Sequence, residues 1–155
     1  MDELDSGPPA EVVVENAYRK AAAIASSAPD ALVLGVDTIV SLGQRIFGKP
    51  ADSGHARTTL TALSGRRHAV ISGVCVIERG TVRTTATTTS VDFRRIGERT
   101  LAWYLATGEW RGRAGAYAIQ GAGAALVAGI EGDYLNVVGL PVATLLELLP
   151  TLLGE

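Results

Sequence analysis

Asp37 is the residue in this chain whose surroundings most invite chemistry. It follows the apolar stretch Ala31-Leu32-Val33-Leu34-Gly35-Val36, so it stands where a buried strand would end. An ionised carboxylate taken out of water costs several kcal/mol, roughly, unless a metal, a cation or hydrogen-bond donors compensate it. Asp37 therefore reads as a general base or a metal ligand, or else as a carboxylate that caps a turn with help from Thr38. Lys49 lies between Gly48 and Pro50, a short loop that glycine lets approach closely and proline stiffens. Such a loop suits a lysine that meets phosphate, although an isolated loop lysine is commonly just solvated. Asn16 and Lys20, four residues apart, flank an apolar helical arc, from which their heads can reach a cleft or simply snorkel to solvent. Gln120 closes the glycine-bounded run Gly115 to Gly121. Its amide donates and accepts at once, which suits reading the edge of a nucleobase and equally suits tying down a turn.

Several other chemistries are missing. No GxxxxGK[ST] loop occurs, and Gly121-Ala122-Gly123 does not open a dinucleotide fingerprint between strand and helix. Ser64 and Ser72 lack a nucleophile-elbow setting. His and Cys nowhere fall at zinc-ligand spacing. His68, at a strand start, reads as a structural hydrogen-bonder, and His55 as exposed on a helix.

The elements that must hold these residues follow from periodicity. Gly7-Pro8-Pro9 leads into a helix over 10–26 whose apolar arc centres on Ala17, Ala21 and Ile24. Residues 31–36 read as a strand buried on both faces, interrupted at Asp37-Thr38 and resumed at Ile39-Val40. Leu42-Gly43-Gln44 turns the chain into a hairpin ending at Gly48. Asp52 or Ser53 caps a helix that ends at Leu63, with Gly65 as its stop. Strands are expected over 68–77 and over 81–93, the second half-exposed because of its threonines. A helix over 98–106 follows, then strands over 116–120 and 124–127, and a last helix from Pro141 to near Pro150. One α+β domain spanning residues 1–155, a mixed sheet flanked by helices, is the economical reading.

Composition agrees. The chain has 155 residues, with 47% hydrophobic and 19% charged, which suits a packed core rather than disorder. Fourteen basic and 16 acidic residues give a net charge of -2, without the basic tract that nucleic-acid polymers attract. No apolar run is long enough to cross a bilayer, and the opening Met1-Asp2-Glu3-Leu4-Asp5 is acidic where a secretory signal is basic. A soluble cytoplasmic protein is expected, and the single Cys75 fits a reducing compartment.

The ordered set of segments resembles the Maf family of nucleoside triphosphate pyrophosphatases. The matching stretches are Glu15 to Ala21, Val33 to Val40, Gly48-Lys49-Pro50, Leu63 to His68, Thr107-Gly108-Glu109, Ala114 to Gly121, Gly132-Asp133-Tyr134 and Val137 to Pro141. The resemblance implies an α/β fold related to the inosine-triphosphate pyrophosphatases, with a cleft between two lobes. It implies hydrolysis of a nucleoside triphosphate to the monophosphate and pyrophosphate with a divalent cation, Mg or Mn. Asp37 matches the family's proton acceptor, Lys20 and Lys49 its phosphate-contacting lysines, and Thr38 and Gln120 positions that tune base choice. The pair Ile119-Gln120 is similar to the branch acting on dTTP and UTP. The resemblance also implies a homodimer.

There are departures. Arg113 stands where the family usually has lysine, keeping the charge but changing its geometry. Trp110 stands where proline is favoured, either as a packing change or as a cleft wall. The family opens with a strand, a Ser-x-Ser-Pro-Arg-Arg loop, a helix and a second strand, and this sequence shows none of them. Met1-Asp2-Glu3 resembles the end of that second strand, which would place Glu3 beside the metal. A translation start assigned too late, with a GTG codon read as Met, is the expected origin of the pattern, and an upstream stretch encoding Ser-x-Ser-Pro-Arg-Arg is expected with it. Were the chain truly this short, exposed strand edges and the absent arginines predict weak folding and little turnover. The alternative reading is then an inactive nucleotide-binding or regulatory remnant of the septum-formation-inhibitor type.

Overall fold

The computed structural model describes residues 2–154; Met1, on which the start-site expectation turns, lies outside them. Helix α1 (Pro9–Ala25) opens with Pro9 in its first turn. Strand β1 (Leu32–Leu42) and β2 (Arg45–Phe47) form the expected hairpin, turning at Gly43 with φ 62°. Helix α2 (Ser53–Leu63) is capped by Asp52, whose carboxylate accepts from the His55 amide at 2.7 Å. Strands β3 (Arg67–Glu78) and β4 (Thr81–Phe93) follow, then α3 (Glu98–Thr107), which stops at left-handed Gly108. Strand β5 (Val127–Glu131), α4 (Tyr134–Val138) and α5 (Val142–Leu148) complete the regular elements.

The sheet order is β2-β1-β3-β4-β5. The α+β class holds, but all four pairings are antiparallel where a mixed sheet was expected. The larger core gathers Leu60 and Leu63 of α2, Val70, Val91 and Phe93 of the sheet, and Tyr104 of α3. Each such side chain contributes about 1.5–3 kcal/mol when fully buried. A second core lies under α1, where Ala17 and Ala21 meet Val33, Cys75 and Ile77. On the other face Leu145 of α5 and Leu149 just after it pack on Val74 and Val76. Among the described residues no helix is long and apolar enough to cross a membrane.

Two glycines bring α1 close to the sheet. A Cβ on Gly35 would lie 2.2 Å from the Ala17 carbonyl oxygen, and one on Gly73 would lie 2.3 Å from that of Val13. The helix therefore seats on its 13–17–21 line. Ile24, expected at the centre of the apolar arc, is turned outward and 57% exposed.

Three further expectations are corrected. Strand β1 runs unbroken through Asp37-Thr38, because both polar side chains find partners without leaving the ladder. It is not buried on both faces: Leu32 and Leu34 point away from α1 and are exposed, since α5 covers Val74 and Val76 instead. The strand expected over 116–120 is irregular and turn after the short 3-10 turn Ala114–Ala116, and that expected over 124–127 is the 3-10 turn Ala122–Leu126 with β5 starting only at Val127. Gly115 at φ 70° and Ala116 at φ 65° coil the backbone left-handed there, which no strand can follow.

Candidate active site

Asp37 lies in the middle of β1, opposite Gly73 of β3, with its side chain under α1. Only 8% of that side chain is exposed. Its carboxylate accepts from Lys20 Nζ at 2.8 Å and from Asn16 Nδ2 at 3.1 Å. Both donors come from α1, and the glycine seat is what lets them reach. Asn16 was read as a flanking side chain, yet it is 2% exposed. It also holds the backbone of Leu4, accepting from its amide at 2.7 Å and donating to its carbonyl at 3.0 Å. That contact fixes the segment before α1, so that Glu3 meets Lys20 Nζ at 2.9 Å.

Lys20 is thus shared by two carboxylates. Burial works against its charge, but its bonds to Asp37 and Glu3 prevail and hold its pKa above the ordinary lysine value. The same bond to Lys20, aided by the field of Lys49, holds Glu3 below the usual carboxylate range. The third ammonium proton of Lys20 faces the Val36 carbonyl at 3.5 Å, a long contact that a phosphate oxygen can replace.

Lys20, Asp37, Thr38, Lys49, Arg113 and Gln120 line one cleft of about 170 Å³. A wider hollow of about 560 Å³ shares Asp37, Thr38 and Lys49 with it and adds Glu3 and Asn16. All eight candidate residues therefore come together along one groove. Gln120 and Arg113 lie toward one end, Glu3 and Asn16 toward the other, and Asp37, Thr38 and Lys49 at the junction. Cationic Lys20, Arg45, Lys49 and Arg113 outnumber anionic Glu3, Asp5 and Asp37 by one, a balance that can take an anionic ligand. Thr38 is steadied by Ser72 of β3, its hydroxyl 2.7 Å away. The sequence marks Ser72 only as lacking a nucleophile setting; strand register is what reveals it as the partner of Thr38.

The loop carrying Lys49 is tied to the segment carrying Arg113, for Gly115 donates to the Gly48 carbonyl at 3.3 Å. Trp110 is a packing residue: it is buried, and its indole donates to the Leu105 carbonyl at 3.0 Å. His68 is structural, as expected. Its Nε2 lies 2.7 Å from the Tyr117 hydroxyl, and burial lowers its pKa to about 4. His55 is exposed, with Nδ1 accepting from the Ala51 amide.

As a cation site, Asp37 and Glu3 supply two carboxylates and no more. Among the described residues there is no group of three or more His, Cys, Asp or Glu placed to hold a metal. Both carboxylates bond Lys20 Nζ, and two oxygen donors are the kind of partial set that a hard ion such as Mg or Mn supplements with phosphates and water.

The fold is an α+β domain with a sheet-borne carboxylate held under a lysine in a groove lined by charges of both signs. The comparisons with known proteins are specific. The family model described as Maf-like protein matches residues 1–152, and the chain belongs to that family. The chain is 43% identical over 148 residues to the dTTP/UTP pyrophosphatase of Pyrococcus furiosus, covering 96% of this chain and 78% of that protein. It is 50% identical over 144 residues to the dTTP/UTP pyrophosphatase of Moorella thermoacetica, covering 92% and 74% respectively. With the enzyme of the same name from Pelotomaculum thermopropionicum it shares 46% over 153 residues, covering 96% and 80%.

Proposed function

We propose that this protein hydrolyses nucleoside triphosphates, dTTP and UTP foremost, to the nucleoside monophosphate and pyrophosphate. The observation that carries the reading is the meeting of Asp37, Lys20 and Lys49 with Thr38 and Gln120 in one groove. Each relative above is named for that activity. The inactive-remnant alternative is not favoured: those relatives carry an enzyme's name, and the polar residues the resemblance singled out converge on one site.

In this reading Lys49 and Arg113 take the phosphates, and Lys20 turns one of its protons from Val36 to a phosphate oxygen. Thr38 and Gln120 face the base. Asp37 orients a water against the α-phosphorus and accepts its proton as the oxygen–phosphorus bond forms. The bond from that phosphorus to the oxygen bridging toward the β-phosphorus breaks, and pyrophosphate leaves with the electron pair. Lysine charge beside the developing negative charge lowers the barrier. A divalent cation bound by Asp37 and Glu3 would supply further neutralisation of the triphosphate. The reading extends to a homodimer in a cytoplasmic setting, with neither a nucleic-acid polymer nor a membrane as partner. A net charge of -2 supports leaving a nucleic-acid polymer out of this reading.

The test is pyrophosphate release from a panel of ribo- and deoxyribonucleoside triphosphates with Mg²⁺, with Mn²⁺ and with EDTA. Release from dTTP and UTP that EDTA stops is the expected result. A folded protein that releases no pyrophosphate from any of them contradicts the reading. Light scattering on the same sample checks the dimer.

A further inference from the structure

Gln120 sits on an irregular segment, and two side chains outside the groove hold that segment from both sides. Tyr104 of α3 is fully buried, and its hydroxyl accepts from the Ala118 amide at 3.1 Å. The same hydroxyl donates to Glu109 Oε1 at 2.8 Å. Beyond Gln120, the Glu109 carboxylate accepts from the Ala122 amide at 2.9 Å and from the Gly123 amide at 2.9 Å. The fit is close. A Cβ on Gly121 would lie 2.2 Å from Glu109 Oε2, and one on Gly123 would lie 2.3 Å from the Ala118 carbonyl oxygen. Burial raises the Glu109 pKa, but the Gly123 amide, the Tyr104 hydroxyl and the Ala122 amide outweigh it and keep the group ionised. Neither Glu109 nor Tyr104 lines the groove.

We infer that Glu109, relayed through Tyr104, is a positioning residue that fixes the 118–123 backbone around Gln120 and thereby sets discrimination among nucleobases. The inference rests on the pyrophosphatase reading and deepens it. An amide that both donates and accepts separates one base edge from another only when its orientation is fixed within a fraction of an ångström. Gln120 itself is exposed, so its order has to come from the backbone on either side. The bonds from Ala118, Ala122 and Gly123 to a single Tyr–Glu pair supply that order from outside the groove. A carboxylate is required at this point because it accepts several bonds and donates none, whereas an amide would set an N–H against an N–H.

The experiment compares wild type, E109Q, Y104F, Q120A and the double variant E109Q/Q120A. The readouts are kcat/KM for dTTP and UTP against dCTP, dATP and dGTP, and calorimetric affinity for the corresponding α,β-methylene analogues. E109Q and Y104F are each expected to lower the dTTP-to-dCTP ratio by about tenfold, the effect of about one hydrogen bond. In the Q120A background E109Q should change the ratio no further, because the residue acts through Gln120. A uniform loss on all nucleotides, or a lower melting temperature with an unchanged ratio, overturns the inference and leaves the pyrophosphatase reading standing. A wild type that turns over and binds every nucleotide alike overturns the inference while triphosphate hydrolysis stands, and a folded wild type that releases no pyrophosphate overturns the pyrophosphatase reading.

Discussion

Lys20 Nζ and Asp37 Oδ1 stand 2.8 Å apart although seventeen positions separate them in the chain. The pair joins a helix to the strand beneath it, and it is unequal. The lysine side chain is about one-third exposed, while that of Asp37 is nearly buried. Removing the lysine therefore strands a desolvated carboxylate. Lys20→Met is expected to cost about 1–3 kcal/mol of stability and about 100-fold or more in kcat/KM. Combining it with Asp37→Asn should restore most of the stability and none of the turnover. Urea unfolding of the three variants checks this, and a double variant no more stable than Lys20→Met would show that the pair is not coupled.

Helix α1 reaches Asp37 only because Gly35 and Gly73 leave room for its backbone. Gly35→Ala or Gly73→Ala should lift the helix and carry Asn16 and Lys20 away from the carboxylate. Overpacking of this kind costs about 1–3 kcal/mol. Activity should fall further than that loss implies, since the fraction still folded carries a displaced Lys20. Thermal unfolding and pyrophosphate release on the same samples separate the two effects. An alanine variant with wild-type turnover would show that the glycine seat does not govern the site.

The sequence located most of this site without showing its geometry. Asp37 was recognisable because a carboxylate after Leu34-Gly35-Val36 needs a partner. Its position in mid-strand was not, because Asp-Thr within an apolar run looks like a break. What keeps the strand going is a pair of donors from α1 and a hydroxyl from β3, all distant in sequence. Asn16 looked like a flanking residue because helical spacing reports a face and not the depth of its contact. The bounds of α1, α2 and α3 and the 81–93 strand were legible, since caps and a threonine-rich stretch are local signals, whereas the five-residue α4 was not read at all. The 114–126 segment was not, because Gly115 and Ala116 adopt left-handed angles that an Ala-Gly-rich stretch does not advertise. Glu109 stood inside a noted motif, yet its role emerges only once Ala122 and Gly123 fold back onto it.

His68 ties stability to pH. It is 2% exposed, its Nδ1 has no partner among the described residues, and its pKa is lowered from 6.5 to about 4 by burial. The unfolded chain therefore binds the proton more readily than the folded one. This contribution is fully present above pH 6.5 and is lost as pH falls from 6.5 to about 4. Between neutral pH and pH about 4.5 it amounts to about 2–3 kcal/mol. His68→Gln, which can keep the bond to Tyr117, should flatten the acid limb by that amount in urea unfolding. Carboxylates such as Glu109 add losses of the same direction, so the wild-type minus variant difference is the quantity to compare. Parallel acid limbs would contradict the assignment.

Lys49 is exposed and lines both parts of the groove. Lys49→Ala should leave the melting temperature near that of wild type while raising the KM for dTTP about tenfold, the effect of one lost charge-assisted phosphate contact. Initial rates over a range of dTTP concentrations check it. An unchanged KM would remove Lys49 from the phosphate site.

The most direct test of the account is pyrophosphate release from dTTP and UTP with Mg²⁺ or Mn²⁺, comparing wild type with Asp37→Asn. The substitution keeps the size of the side chain and an oxygen for Lys20 but sets an amide N–H toward Asn16, so circular dichroism and thermal unfolding establish that the variant is folded before rates are compared. The account predicts release by the wild type and its reduction by at least about a thousandfold in the variant, the scale expected when a proton acceptor is removed. Equal rates in two folded proteins would contradict the central claim that Asp37 is where the chemistry occurs.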